Sequence, residues 1–168
     1  MVSFVVKASF AYITGTMIDV DTGQFTVGVF QDAAWAQKGL DALAQAGFAA
    51  ESLTILAKES SDAAALMTRT FGAAGDRVEL AAIGSVLARG PLVEALQGAT
   101  GDLAKLGLSG TLRRVGFQAH DGRIYEALAG RGGVLVAIHI TPRAADALAI
   151  LHSYGGGNAA IGAWTGRV

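Results

Sequence analysis

A short aliphatic run enclosed by glycine and proline constrains the fold more than any other feature of the sequence. Gly132-Gly133 precede residues 134–140 (VLVAIHI), and Thr141-Pro142 follow at once. Unbroken aliphatic runs are typical of strands buried on both faces, and a Thr-Pro pair is typical of the first turn of a helix. The sequence therefore predicts a central strand that leads directly into a helix ending at Gly155.

The same order of elements occurs earlier in the chain. Residues 25–30 (FTVGVF) predict a strand, Asp32 a helix cap and Gly47 the helix end. The two helices match at one constant offset along the chain, in the pairs Ala36 and Ala144, Leu40 and Leu148, Leu43 and Leu151, Gly47 and Gly155. The strand sequences align when this offset is one residue longer, so that Val27 and Val29 are aligned with Val136 and Ile138. We interpret this pattern as an internal duplication.

Two β-α-β units, about residues 25–57 and 132–163, predict an α+β fold of the ferredoxin-like sandwich type. In that architecture a four-stranded antiparallel sheet carries its helices on one face. Strands at residues 52–56 and 158–164 complete the two units, and an Ala/Gly-rich helical insert at residues 59–117 separates them. A small parallel sheet is the alternative, because right-handed crossover connections also permit it.

The chain of 168 residues predicts a single domain. Residues 1–22 alternate apolar side chains (Phe4, Val6, Ala8, Phe10, Tyr12), which predicts an edge strand, or an arm that pairs with the sheet of another subunit. Residues 25–58 form the first unit, 59–117 the insert, and 119–163 a helix followed by the second unit.

Within the insert, the spacing predicts helices from residue 60 to Phe71 and from Pro91 onward. Residues 80–88 fit a buried strand and a helix equally well. Beyond the insert, Asp121 is expected to cap a helix over residues 123–129. The apolar faces of the helices in the two β-α-β units are expected to be buried. In the first helix this face consists of Trp35, Ala36, Leu40, Leu43 and Ala44, and in the last helix of Ala144, Leu148, Leu151 and Tyr154.

Composition removes several classes of function. The chain has no cysteine, and its net charge is −1 without a run of like charges, so thiolate chemistry and nucleic-acid binding are not expected. No secretion signal or membrane span is predicted, contact with a membrane surface is not favoured, and the expected location is the cytoplasm. Hydrophobic residues make up 52% and charged residues 16%, which favours a homo-oligomer.

No set of residues has the spacing of a catalytic centre or a metal site, and no cofactor is predicted. His120, His139 and His152 lack the i, i+4 spacing of helical metal ligands. Tyr125, Glu126 and His139 are the candidate ligand-binding residues, because a Tyr-Glu pair beside a strand is suited to orient a ligand or move a proton. The structural alternative is a capped helix with a solvated glutamate and a half-buried tyrosine, and a histidine held by one hydrogen bond.

Several segments resemble one bacterial family. Residues 26–30 (TVGVF), the helix to Ala46-Gly47-Phe48, and the strand at residues 53–58 (LTILAK) are similar to the opening of heat-induced, YflT-like general stress proteins. Residues 83–92 (IGSVLARGPL) resemble the small-residue segment of longer members, and Tyr125-Glu126 with residues 132–136 resemble the ending. The resemblance implies a bacterial stress-associated protein and assigns no catalytic residue.

Two hypotheses for function follow from these observations. The first is a non-enzymatic protein that acts through assembly or partner binding. The alternative is a protein that binds or converts a small molecule, such as haem or a metabolite, in a pocket between sheet and insert.

Overall fold

The computed structural model describes residues 25–139 and 143–156 of the chain. These residues form an α+β fold with a five-stranded sheet in the order β1-β5-β2-β4-β3, and every neighbouring pair is antiparallel. A parallel sheet, the alternative from the sequence, is therefore wrong for this part of the chain. The strands are β1 (Phe25–Phe30), β2 (Leu53–Lys58), β3 (Asp76–Leu80), β4 (Gly84–Arg89) and β5 (Val134–His139); the helices are α1 (Ala33–Gln45), α2 (Ser61–Phe71), α3 (Pro91–Gln97), α4 (Asp102–Arg114), α5 (Ala119–Gly130) and α6 (Ala144–Ser153).

The sheet separates two hydrophobic cores. On one face, α1, α2 and α6 pack against side chains such as Phe30, Ile55 and Val136. On the other face, α3, α4 and α5 pack against the alternate residues, such as Leu56 and Leu135. Successive strand residues point to opposite faces, so a strand with helices on both sides must be apolar throughout. This explains the unbroken aliphatic run of β5.

The first β-α-β unit is present as predicted. β1 and β2 run parallel to each other, and β5 lies between them, antiparallel to both. The prediction that β5 is a buried strand inside the sheet is confirmed, since it lies between β1 and β2 and five of its six residues are buried. The predicted final strand at residues 158–164, the N-terminal segment 1–22 and the helix start at residues 141–142 lie outside the described residues.

The segment between the two units differs from the helical insert that composition predicts. It contributes two strands, β3 and β4, which extend the sheet beyond β2. Its helices α3 and α4, followed by α5, cover the sheet face opposite α1 and α6. The described residues therefore form three layers, whereas the sequence predicted helices on one face only. Residues 80–88 are the end of β3, a turn and most of β4.

Most of the residues predicted to cap or end the helices do so in the structure. The Trp35 N–H donates to Oδ1 of Asp32 at 2.9 Å, and the Ala63 N–H donates to Oγ of Ser60 at 3.0 Å. Gly47 and Gly155 end α1 and α6 with φ of 92° and 86°. The predicted cap at Asp121 is wrong, because α5 begins at Ala119 and places Asp121 inside its first turn.

Some residues predicted to face inward are exposed. Trp35 and Ala44 lie on the outer side of α1, and Leu148 lies on the outer side of α6. Leu40, Leu43 and Leu151 are buried as predicted, while Ala144 and Tyr154 are half-buried. A helical apolar stripe wider than the surface that covers it leaves its margin in contact with solvent.

Candidate functional site

Tyr125 lies in the core between the sheet and α3–α5. Its side chain is buried, and its ring meets Phe117 edge to face, with 6.4 Å between ring centroids and 84° between ring planes. Buried aromatic pairs in this geometry contribute to packing. Tyr125 therefore serves the core at this position, one residue before the glutamate with which the sequence grouped it.

Glu126 stabilises a break in α4. At Gly107 the backbone leaves the helical conformation (φ 79°, ψ 172°), and the helix then resumes. Near the start of the resumed helix, the N–H of Ser109 donates to Oε2 of Glu126 at 3.2 Å. A carboxylate at the start of a helix is favoured both by this hydrogen bond and by the helix dipole. The structure thus gives Glu126 a capping role.

His139 ends β5 at the margin of the sheet. Its ring stacks on Phe25 with 4.7 Å between centroids and 20° between planes. Partial burial lowers the pKa of His139 below its ordinary value, since an apolar surrounding disfavours the imidazolium. The neutral form of the ring, with one nitrogen that donates and one that accepts, is therefore favoured at this margin.

The three candidate residues thus have different surroundings. Tyr125 packs on Phe117, Glu126 caps α4, and His139 stacks on Phe25. His120 on α5 and His152 on α6 are both exposed. Among the described residues, no group of three or more His, Cys, Asp or Glu side chains is arranged to hold a metal ion.

A cavity of about 500 Å³ lies between the start of β2 and the start of α3, and none of the candidate residues from the sequence lines it. Its walls include Leu53, Phe71 and Val93, with Arg89 on one side. Three carboxylates also line it, from Glu51, Asp76 and Glu94. The one local signal in the sequence is Gly90-Pro91 directly after a strand, where the chain turns sharply into α3.

A second surface feature is the set of exposed large apolar side chains. Trp35 on α1 is 40% exposed and Leu148 on α6 is 37% exposed, and both helices cover the same face of the sheet. Leu106 on α4 is 53% exposed and lies on the opposite side of the molecule. Large apolar groups on adjacent helices are a feature of surfaces that bind other proteins.

Comparison of the chain with protein-family models, curated proteins and solved structures found no match. Across the described ranges, no helix combines the length and apolar character needed to cross a membrane. The exposed apolar side chains and the cavity are therefore the two features of the described residues that bear on function.

Proposed function

We propose that this chain is a non-enzymatic assembly protein that associates with a second copy of itself through the outer surface of α1 and α6. The observation that carries the proposal is the exposure of Trp35 and Leu148 on two helices that contact each other and cover one face of the sheet. Apolar groups of this size are stabilised when a partner removes them from water.

Charge on this surface is compatible with self-association. The exposed positions of α6 include Leu148 and Ala149, and its acidic residue Asp146 lies 3.6 Å from the guanidinium of Arg143. On α1, the Lys38 ammonium lies 4.5 Å from the centre of the Trp35 ring. A twofold interface brings each surface against its own copy, so a surface with few uncompensated charges avoids like-charge repulsion.

We propose in addition that the protein has a cytoplasmic, stress-associated role in a bacterium, and that its core is a ferredoxin-like fold made by internal duplication. The first part is supported by the resemblance to YflT-like general stress proteins. The second is supported by α1 and α6, which lie on the same face and end in the same way. In this interpretation, the residues between β2 and β5 are an addition that extends the sheet by β3 and β4, places α2 beside α1 and α6, and covers the second face of the sheet with α3–α5.

Replacement of Leu148 by aspartate is expected to shift the protein from dimer to monomer. A carboxylate placed at the centre of an apolar interface loses its hydration without gaining a partner, so association weakens by tenfold or more. Analytical ultracentrifugation over a range of protein concentrations measures the change.

Leu106→Asp is the matched control, because it introduces the same charge at a more exposed leucine on the opposite side of the molecule. It should leave the association constant unchanged. A wild-type protein that stays monomeric at high concentration, or equal effects of the two substitutions, would contradict the proposed interface.

The cavity beside α3 supports a second candidate function, the binding of a small molecule between sheet and insert. Its three carboxylates outnumber the single guanidinium of Arg89, which favours a ligand with an amine over an anionic one such as haem with its propionates. Phe71 and Leu53 supply the apolar part of the wall.

Thermal-shift measurement against a panel of metabolic amines, other metabolites and haem tests this second candidate. A ligand at about a hundred times its dissociation constant adds about 2.7 kcal/mol to stability. Glu94→Gln is expected to reduce the shift, while Tyr125→Phe and Glu126→Gln leave it intact. A panel without any shift would exclude the cavity as a site for these ligand classes, and loss of the shift in the Tyr125 or Glu126 variant would place the ligand elsewhere.

A further inference from the structure

The strand β3 (Asp76–Leu80) forms one edge of the sheet. Its inner side pairs with β4, and among residues 25–139 and 143–156 no strand pairs with its outer side. Such an edge presents backbone N–H and C=O groups that can pair with a strand of another chain. The residues that carry these outward groups determine which strand can pair there.

The hydrogen bonds of β4 show which residues of β3 point outward. The Glu59 N–H donates to the Ser85 carbonyl at 2.9 Å, so the backbone groups of Ser85 in β4 point toward β2. Successive residues of a strand point these groups in opposite directions, so those of Val86 point toward β3. Val86 is opposite Val78. Val78 therefore points its backbone groups at β4, and its two neighbours on β3 point theirs away from the sheet.

These two neighbours, Arg77 and Glu79, carry opposite charges on exposed side chains. Within one chain, the Arg77 guanidinium lies 3.6 Å from the Glu79 carboxylate and 3.1 Å from the Glu59 carboxylate. On paired strands, opposite charges directly across from each other stabilise the pair, whereas like charges destabilise it. The alternation of arginine and glutamate therefore restricts which strand, and which register, this edge accepts.

We propose that β3 pairs with β3 of a second copy of the chain, antiparallel, about a twofold axis at Val78. An axis normal to the sheet keeps the two faces aligned, so the two five-stranded sheets join into one continuous sheet. In this register Arg77 of each copy lies opposite Glu79 of the other. Both residues point their backbone groups outward, so each of these two pairs exchanges two backbone hydrogen bonds.

Other registers lack this complementarity. Backbone hydrogen bonds form only where outward-pointing residues of the two copies are opposite each other, so the axis must lie at a residue and not between two residues. An axis at Arg77 places two arginines opposite each other, and an axis at Glu79 places two glutamates opposite each other. The axis at Val78 avoids both and pairs two valines on the face covered by α3–α5. The β3 edge is therefore complementary to itself in one register.

The β3 contact is separate from the α1–α6 surface. α6 contacts α1 and β1, and β1 lies at the opposite edge of the sheet from β3. Two separate twofold contacts on one chain allow dimers to join into larger assemblies, which goes beyond the dimer proposed above. Since the β3 contact involves a single short strand, we expect it to be the weaker of the two, and covalent trapping is the suitable measurement.

A single cysteine on the axis tests the pairing, and the natural chain has no cysteine to interfere. In the full-length variant Val78→Cys, the two Cα atoms of this non-hydrogen-bonded pair are expected about 4.5 Å apart, within the range of a disulfide. Mild oxidation should therefore form a covalent dimer. A non-reducing gel detects the dimer, and its intact mass is twice that of the monomer less two hydrogen atoms.

Leu80→Cys is the matched control, because Leu80 is also buried and lies on the same face of the same strand. It lies two residues from the axis, so pairing holds the two thiols about 13 Å apart along the strands. Under the same conditions it should form at least tenfold less covalent dimer than Val78→Cys.

Charge reversal tests the register. Arg77→Glu or Glu79→Arg, each added to Val78→Cys, should lower the yield of covalent dimer at least tenfold, since each places like charges opposite each other. The two reversals together should restore the yield, and so should a mixture of the two single-reversal chains. An effect on thiol reactivity alone would differ in sign, because a nearby glutamate disfavours the thiolate and a nearby arginine favours it.

Four results would each overturn the proposal. They are the absence of a covalent dimer in Val78→Cys, an equal yield in Leu80→Cys, opposite effects of the two single reversals, and no recovery when the reversals are combined. The α1–α6 interface is tested with Leu148→Asp, which enters none of these comparisons, so the two proposals fail separately.

Discussion

Replacement of Gly90 by alanine is expected to destabilise the protein by about 3–5 kcal/mol, a large part of the total of a domain this size. Gly90 joins β4 to α3 with φ of 126° and ψ of 175°, a conformation that side-chain-bearing residues avoid. A Cβ there would lie 2.4 Å from the Leu53 carbonyl oxygen and 2.5 Å from the Thr54 Cα. Both are backbone atoms of β2, so relief of the clash requires a shift between two sheet strands and α3.

The same shift disturbs the start of α3. The Leu92 N–H donates to Oγ1 of Thr54 at 2.9 Å, and this buried hydroxyl lies 2.5 Å from where the new Cβ would be. Loss of that hydrogen bond leaves a buried N–H unsatisfied, which contributes about 1–3 kcal/mol to this destabilisation. Urea unfolding followed by circular dichroism measures the total effect as a lower midpoint with an unchanged slope.

Gly132→Ala provides the comparison for Gly90→Ala. Gly132 also has a positive φ, 96°, but no atom lies within 4 Å of where its Cβ would be. Its replacement therefore lowers the free energy of unfolding only through the strained backbone conformation, by about 1–2 kcal/mol. Equal destabilisation by the two substitutions would show that the contact with β2 has no energetic weight.

Local signals in the sequence predicted the elements that local chemistry determines. Asp32, Gly47 and Gly155 mark helix ends because their side chains, or their lack of one, satisfy backbone groups within a few residues. The aliphatic run of β5 predicted a strand buried on both faces, since each of its residues must meet a core.

The features that the sequence did not predict depend on contacts between distant segments. Residues 80–88 fit a strand and a helix equally, and pairing of β4 with β2 decides between them. The outer position of Leu148 depends on how much of α6 the rest of the molecule covers. Glu126 has a partner at Ser109 because α4 breaks at Gly107, which the composition of α4 does not reveal. The cavity likewise exists only where β2 and α3 meet.

The Phe30 ring is expected to show strong energetic coupling with Gly39. Phe30 is fully buried under α1 and the end of α6. Its Cζ lies 2.6 Å from where a Cβ on Gly39 would be, and 2.9 Å from where a Cβ on Gly156 would be. The ring thus fills a slot formed by two glycines. Phe30→Ala empties the slot and should cost about 3–5 kcal/mol.

Gly39→Ala separates packing from helix propensity. Alanine favours a helix interior by about 1 kcal/mol over glycine, but overpacking against a fixed ring costs about 1–3 kcal/mol, so the single variant should be destabilised or unchanged. With Phe30→Ala in place the clash is gone, and the same substitution should stabilise the protein by up to about 1 kcal/mol. The double-mutant cycle, measured by urea unfolding, should give a coupling energy of about 1–3 kcal/mol.

Gly130→Ala on α5 is the control for this cycle, because no atom lies within 4 Å of where its Cβ would be. It should have the same small effect with and without Phe30, since the propensity gain does not depend on the slot. If Gly39→Ala also has the same effect in both backgrounds, the ring and the glycine are not coupled. The close approach of α1 to β1 would then arise from the other buried contacts of the helix, chiefly Leu40 and Leu43.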